Sequence, residues 1–580
     1  MGTGIGSVVR RKKINSGMTW NQLIDHGDPV NPRPHLPNVA LFNTNPFDYG
    51  IANLGAQSIA QYLLAREVNV YFAFADTISA NRFFLNDPDM SPTRCDVLGL
   101  SIPFEDTYLN ALRMLTMAGL PIYSKDRGDD FPLVVAGGGA MLNPLPISPF
   151  VDIVVLGEGR EALYQIVTQY QRLKKIGVSR REVLFALAEI PGVYIPSHYA
   201  LEIDAQGYLI DFKCTNGHPV IEANVPLDLT EYPIYSVWTS KYACYEYEDY
   251  FSIMAAMGCH KKCPYCIVGH VQGARNGRAM TIDLDQIMTL SLERRKRYRT
   301  NLVKIFFSSA FSPQEGDINA ISIKMLLEAM LHHGFKCRIG SLNVKQADEE
   351  LFHMLHEVGQ TEVTFAPETT EDLRPYIGKA YISDEKLLTL ASYARKYDLA
   401  MNIYSLGSLP HETDEHTRRF ATFLHSLRAT LGSYNSLAVH YNPAFLKAQT
   451  PYQYFANVRP EEARRKFALL KSELAGSDIL LVSVIPDPMA YYQPVLALGD
   501  DQSAAVLAHL YQQTEVSEED WRGAFVRLGM DDARYFTAKD LSRTLPWEHI
   551  VYNDHQKLKR RAKGISTPAR SVREELLEVF

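Results

Sequence analysis

Residues 254–271 read MAAMGCHKKCPYCIVGHV, and three of the chain's seven cysteines, Cys259, Cys263 and Cys266, fall within eight positions of this stretch. They follow the apolar, strand-like run YFSIMAAMG with the spacing C-x3-C-x2-C. Thiolates on so short a loop converge on one centre, and soft thiolate ligands select zinc or iron–sulfur. Two readings stand side by side. A Cys3His zinc site closed by His260 or His270 is purely structural, although its usual sequence carries two separated ligand pairs and a second pair is missing here. A four-iron cluster with three protein ligands instead leaves one iron open, able to take a small molecule by its amino and carboxylate groups and pass it an electron.

The surroundings bear on the choice. From residue 251 onward strand-like and helical runs alternate: FSIMAAMG, a helix near 282–299, LVKIFFSSA, IKMLLEAMLHHG, KCRIGSLNV, EVTFAPET, AMNIYSLGSLP and SLAVHYNPA among them. Six or so βα repeats predict a complete or partial parallel barrel, TIM-like, over 251–451, whose chemistry sits at the C-terminal mouth of its strands. Upstream, VALFN, VNVYFAFAD, CDVLGLSIP, FPLVVAGGGA and VDIVVLGEG are short apolar runs with helical segments between them. They predict an α/β, doubly wound, Rossmann-like domain over 38–175. Ligands of such sheets bind beyond the carboxyl ends of the strands, which here carry NTNPFDYG, SIPFED, GGGAMLNP and GEGRE. Residues 1–37 read as a polar, solvated N-terminal arm, 176–250 as a linking segment and 452–580 as a mainly helical C-terminal region.

Composition narrows the function classes. A chain of 580 residues exceeds what one core supports, so about three domains are expected. The net charge of −7 disfavours a nucleic acid as main ligand. No apolar run of about 18 residues predicts a membrane span, and the basic N-terminus lacks the apolar stretch of a secretory signal, which gives an expectation of a cytoplasmic protein. The four scattered cysteines (Cys95, Cys214, Cys244, Cys337) do not form a disulfide framework in so long a chain.

The cysteine motif, with Tyr265 just before the third Cys and at the end of a first barrel strand, resembles the radical S-adenosylmethionine (SAM) superfamily. The order of segments from FDYGIANLGAQ through FAPETTEDLR to LPWEHI resembles its branch with an N-terminal cobalamin (B12)-binding-type domain. The resemblance implies that Cys259, Cys263 and Cys266 hold a 4Fe-4S cluster and that SAM is cleaved to methionine and a 5′-deoxyadenosyl radical. It assigns SAM contacts to Tyr265, to Ser308 and Ser309 in place of the common Gly-Gly-Glu, to Glu368 near the ribose, and to Gly407 and Pro410 near the adenine. His440, Asn442 and Lys447, at a late strand end, become candidate contacts of substrate or SAM. For cobalamin, the usual D-x-H-x-x-G has Asn45, Phe47 and Gly50 in register; Ser101 and Gly137, Gly138 and Gly139 follow in the later loops. Phe47 cannot ligate cobalt, so the corrinoid would be held without a histidine ligand.

The implied activity is modification of an unactivated carbon of a small molecule or peptide, by cobalamin-dependent methyl transfer, with electrons from a donor such as flavodoxin or ferredoxin. Two alternatives remain at this point. One is a cobalamin-independent rearrangement, dehydrogenation or sulfur insertion; the other is a non-catalytic metal-binding assembly protein.

Overall fold

The computed structural model describes residues 18–28, 30–79, 82–244, 250–271, 280–306, 321–483 and 488–566. Ser308 and Ser309 lie outside them. The first unit is a parallel sheet of β1 (Asn38–Asn43), β2 (Asn69–Phe74), β3 (Val97–Ser101), β4 (Leu133–Gly137) and β5 (Ile153–Val155), in the order β2-β1-β3-β4-β5. The antiparallel β6 (Val193–Tyr194) closes one edge. Both faces are covered, which is why the strands are almost uniformly apolar rather than alternating. Within β1, Val39 and Leu41 point into one core with the helices Leu54–Leu64 and Arg160–Lys175, while Ala40 and Phe42 point into another with Tyr108–Met117. That second core also takes in Val495, Leu507, Trp521 and Phe525, so C-terminal helices roof the first sheet.

Two sequence boundaries shift. The helix Arg180–Leu187, held at its start by a Ser179–Glu182 capping box, packs on the first unit, and β6 completes that unit's sheet. The first unit therefore runs to about residue 194 rather than 175. The described part of the N-terminal arm is docked, not solvated: Trp20 and Leu23 are buried, with Trp20 stacked on Phe72 at 4.9 Å between ring centroids. The hairpin β7 (Tyr199–Ile203) with β8 (Leu209–Cys214), and β9 (Ile221–Glu222), follow.

Among the described residues the second unit carries seven parallel strands in two sheets. β10 (Phe251–Met254), β13 (Leu302–Phe306) and β14 (Lys336–Ile339) form one; β15 (Glu362–Glu368), β16 (Ala400–Gly407), β17 (Leu437–Pro443) and β18 (Leu480–Val482) form the other. A short antiparallel pair, β11 (Ala256–Met257) and β12 (Met280–Thr281), lies beside the cysteine loop. Backbone bonds from Cys337 to Val358 (3.1 Å) and from Leu342 to Thr364 (2.8 Å) bring β14 against the β15 segment. The result is a partial barrel; among the described residues no closed barrel forms. Its last strand, β18, lies past the expected boundary at 451.

The C-terminal region is mainly helical and also supplies β19 (Ile550–Val551), which pairs with β9. A third core, with Leu142, Leu446, Tyr452, Trp547 and Leu558 in it, joins the first sheet, the loop after β17 and the C-terminal helix His555–Ser566. Among the described residues no helix is long and apolar enough to cross a membrane.

Candidate active site

The cysteine loop leaves β11 through two left-handed residues, Gly258 (φ +84°) and Lys262 (φ +47°), which fold it back on itself. It then packs on the short helix Ile267–His270 so closely that a Cβ at Gly269 would lie 2.8 Å from the Lys262 Cα and 3.1 Å from the Cys259 carbonyl. Cys263 is buried and its two companions are half-buried. Burial holds all three thiols above their ordinary range, and Lys379 is a cation that lowers each of them. Backbone N–H groups of Val268 and Gly269 face the Cys266 sulfur, and the Lys261 N–H lies 3.5 Å from that of Cys259. Each thiol acts electrostatically on another of the three, so they share one locus.

The donor set, three soft thiolates on one short loop, fits an iron–sulfur cluster. His270, one proposed closing ligand, instead sets its Nε2 3.2 Å from the Cys263 carbonyl, and burial pushes its pKa down to about 4. A neutral ring bonded to the loop backbone shapes the loop.

Facing the thiols is a buried polar cluster at the end of β15. Glu368 sits in the left-handed region (φ +66°) at a register break, and its carbonyl accepts from the Ser405 hydroxyl at 2.9 Å. Its Oε1 accepts from the Tyr265 hydroxyl at 3.0 Å and from the Lys379 ammonium at 2.7 Å. Lys379 also donates to the Ala366 carbonyl at 2.5 Å. Burial opposes the charge on Lys379, but the Glu368 carboxylate and the Cys263 thiol outweigh it and the net shift is upward. Tyr452 packs 6.1 Å from Tyr265, and Arg561 of the C-terminal helix brings a further cation to Cys263.

Lys379 is the residue that sequence reasoning missed. It follows FAPETTEDLR by five residues, but nothing in the sequence shows it turning back by eleven residues to Glu368. The turn depends on Arg374, wholly buried, whose guanidinium bonds the Thr369 and Ile382 carbonyls at 3.0 Å and Asp384 at 2.6 Å. Gly378, left-handed at φ +74°, completes it.

Other expected contacts are placed differently. Gly407 ends β16 where any Cβ would overlap the Tyr441 hydroxyl, so packing alone accounts for it; Pro410 is half-buried in the following loop. His440 is buried edge-on to Tyr404. Lys447, in the loop after β17, is paired: its ammonium lies 2.6 Å from Glu105, in the loop after β3, and Gln493 donates to the same carboxylate at 2.8 Å. This buried trio fastens the three units together.

At the strand ends of the first sheet, Phe47 is fully buried against Phe74, 4.9 Å between centroids, with its N–H on Asp76 at 2.7 Å. Its ring therefore meets only protein, which corrects the expectation that it faces a cofactor. Gly50 is required by packing as well, since a Cβ there would run into the Phe74 ring. Gly138 (φ +123°) and Gly139 lie against the backbone of Ile102 and Pro103, yet both are exposed on their other side. Over Gly137 the space is open, with nothing within 4 Å of a built Cβ. Asn45 and Ser101 are half-buried beside them.

Residues 79–196 match the family described as radical SAM proteins, N-terminal. Among solved structures, a radical S-adenosylmethionine methyltransferase, TsrM, from Kitasatospora setae, with cobalamin and a 4Fe-4S cluster bound, aligns over 85% of this chain and 100% of its own, with a TM-score of 0.51 at 14% identity. The cobalamin-dependent S-adenosylmethionine radical enzyme OxsB aligns over 94% of this chain and 80% of its own, with a TM-score of 0.46 at 12% identity. A search of curated proteins returns no match. Residues 79–196 thus resemble the N-terminal module of radical SAM proteins, and over most of its length the chain shares the fold of the TsrM structure.

Proposed function

We propose that this protein is a radical SAM enzyme in which Cys259, Cys263 and Cys266 hold a 4Fe-4S cluster with one iron left for SAM. The observation that carries the reading is the convergence of the Cys259, Cys263 and Cys266 thiols on a buried site beside the Tyr265–Glu368–Lys379 cluster. When bound, the cluster supplies the electron that splits SAM into methionine and a 5′-deoxyadenosyl radical. The residues around it do the rest. Lys379 and Arg561 offset the negative charge that three thiolates bring into a buried site. Tyr265 and Lys379 fix the Glu368 carboxylate at the strand end, where it can accept hydrogen bonds from ribose hydroxyls. The aromatic walls of Tyr265, Tyr452 and Tyr404 exclude water from a reactive carbon radical.

The product we infer is a modified unactivated carbon of a small molecule or peptide, made by methyl transfer with cobalamin. Support for the corrinoid comes from the exposed Gly138 and Gly139 backbone and the open space over Gly137, at the face where sheets of this type bind ligands. It would be held by backbone and shape, since no histidine occupies the register of residues 45–50. An electron donor of the flavodoxin or ferredoxin type would reduce the cluster.

The test is product analysis after anaerobic reconstitution with iron, sulfide, SAM and a chemical reductant. The expected result is four irons and four sulfides per chain with formation of 5′-deoxyadenosine, both lost in Cys263→Ala. One bound zinc and intact SAM would refute the reading.

A further inference from the structure

A cavity of about 920 Å3 opens at the other pole of the first sheet, by the N-terminal ends of β4 and β5. Small-molecule sites run from about 300 to 1,000 Å3, so this is a full-sized one. None of its walls belongs to the cysteine loop or to β15. They include the segment before β4 (Tyr123, Lys125), the helix Arg180–Leu187 (Arg181, Phe185), β6 (Tyr194) and the turn that follows it (His198).

Two features set it apart from a surface groove. His198 is only 4% exposed, its ring lies on Phe185 at 4.3 Å between centroids, and its Nδ1 has no hydrogen-bond partner among the described residues. A buried ring nitrogen left unpaired is costly and calls for a partner, which a ligand or water in the cavity supplies. The second feature is charge. The Asp152 carboxylate is saturated by the Ser124 hydroxyl (2.5 Å), the Val134 N–H (2.7 Å), Arg180 (2.7 Å) and Arg127 (3.4 Å), so two guanidiniums share one anion. Arg127 keeps its Nε unpaired among the described residues. At the rim Lys125 and Arg181 are exposed, and they face two further acids, Asp129 and Asp501. Asp129 is already tied to the Arg180 N–H at 2.7 Å, and the lining as a whole carries four cations, Lys125, Arg127, Arg180 and Arg181, against three carboxylates, Asp129, Asp152 and Asp501. The balance is a cationic edge beside an aromatic wall.

We propose that this cavity is a second ligand site, remote from the thiols, that takes a small planar acid: an apolar ring system against Phe185 and His198, with an anionic group toward Arg181. The probe is anilinonaphthalene sulfonate, titrated by fluorescence into the full chain beside its uncharged counterpart, phenylnaphthylamine. Saturable binding of one sulfonate per chain is expected, weakened roughly tenfold by Arg181→Ala and by Phe185→Ala. His198→Phe, which keeps the ring and removes the nitrogens, is expected to weaken it less. Circular dichroism and cluster iron content serve as controls that the variants are folded. The proposal is overturned if no saturable binding occurs, or if the variants bind the sulfonate as the parent does. Equal affinity for the uncharged probe, insensitive to Arg181→Ala, overturns it too, because the site would then not select an acid.

Discussion

The two units of this protein end their parallel strands in opposite ways. At the mouth of the partial barrel, three thiols, a carboxylate, an ammonium and a tyrosine hydroxyl are gathered within one buried region, at a cost in desolvation that packing does not require. At the corresponding end of the first sheet, Phe47, Gly50 and Gly138 are each accounted for by a neighbouring ring or carbonyl. The difference separates residues the fold needs from residues it tolerates. The barrel mouth holds chemistry that the fold does not explain, and the first sheet offers mainly an open face.

The strongest way to break this comparison is at Lys379. Lys379→Met leaves Glu368 buried without its cation, so a loss of about 3 to 5 kcal/mol in urea unfolding of the cluster-free chain is expected. Glu368→Gln in the same chain should recover part of it, and a merely structural lysine on the surface would show no such coupling. Phe47 comes next. Phe47→Ala empties a site in the first core and should cost about 3 to 4 kcal/mol. Phe47→His should not raise hydroxocobalamin affinity, read from the corrinoid absorption spectrum, because the side chain faces Phe74; a gain of binding would show that it faces the cleft.

The smallest effect concerns the seam between the first sheet and the C-terminal region. His549 is buried against Tyr194, Tyr199 and Phe212, its Nδ1 donates to the Pro546 carbonyl at 3.0 Å, and burial pushes its pKa down to about 4. Above pH ~6.5 the ring is neutral in both folded and unfolded chains and contributes no pH dependence. As pH falls from there toward 4 the unfolded chain takes up a proton that the folded one refuses, so stability drops by about 3 kcal/mol. His549→Phe should remove that part of the acid slope in urea midpoints measured against pH.

Much of this was legible in the sequence. The strands β1 to β5 are near-continuous apolar runs closed by Gly, Pro or Asn, a pattern that buried parallel strands enforce, and the cysteine spacing points to the loop on which three thiols share one locus. What escaped depended on tertiary packing. β18 is three residues long and half exposed, so its run read as part of the C-terminal region. Lys379 reaches Glu368 only because Arg374 pins the intervening turn. The burial of Phe47 was hidden because counting positions along D-x-H-x-x-G says nothing of which way a ring points. That Lys447 pairs with Glu105, 342 positions away, could not be read from either segment alone.

The central claim is that the three thiols leave one iron open for SAM. Electron paramagnetic resonance of the reduced, reconstituted protein, recorded with and without SAM, tests it most directly. The account predicts a reduced 4Fe-4S signal that changes on adding SAM and is absent from Cys263→Ala. A cluster signal indifferent to saturating SAM would contradict it.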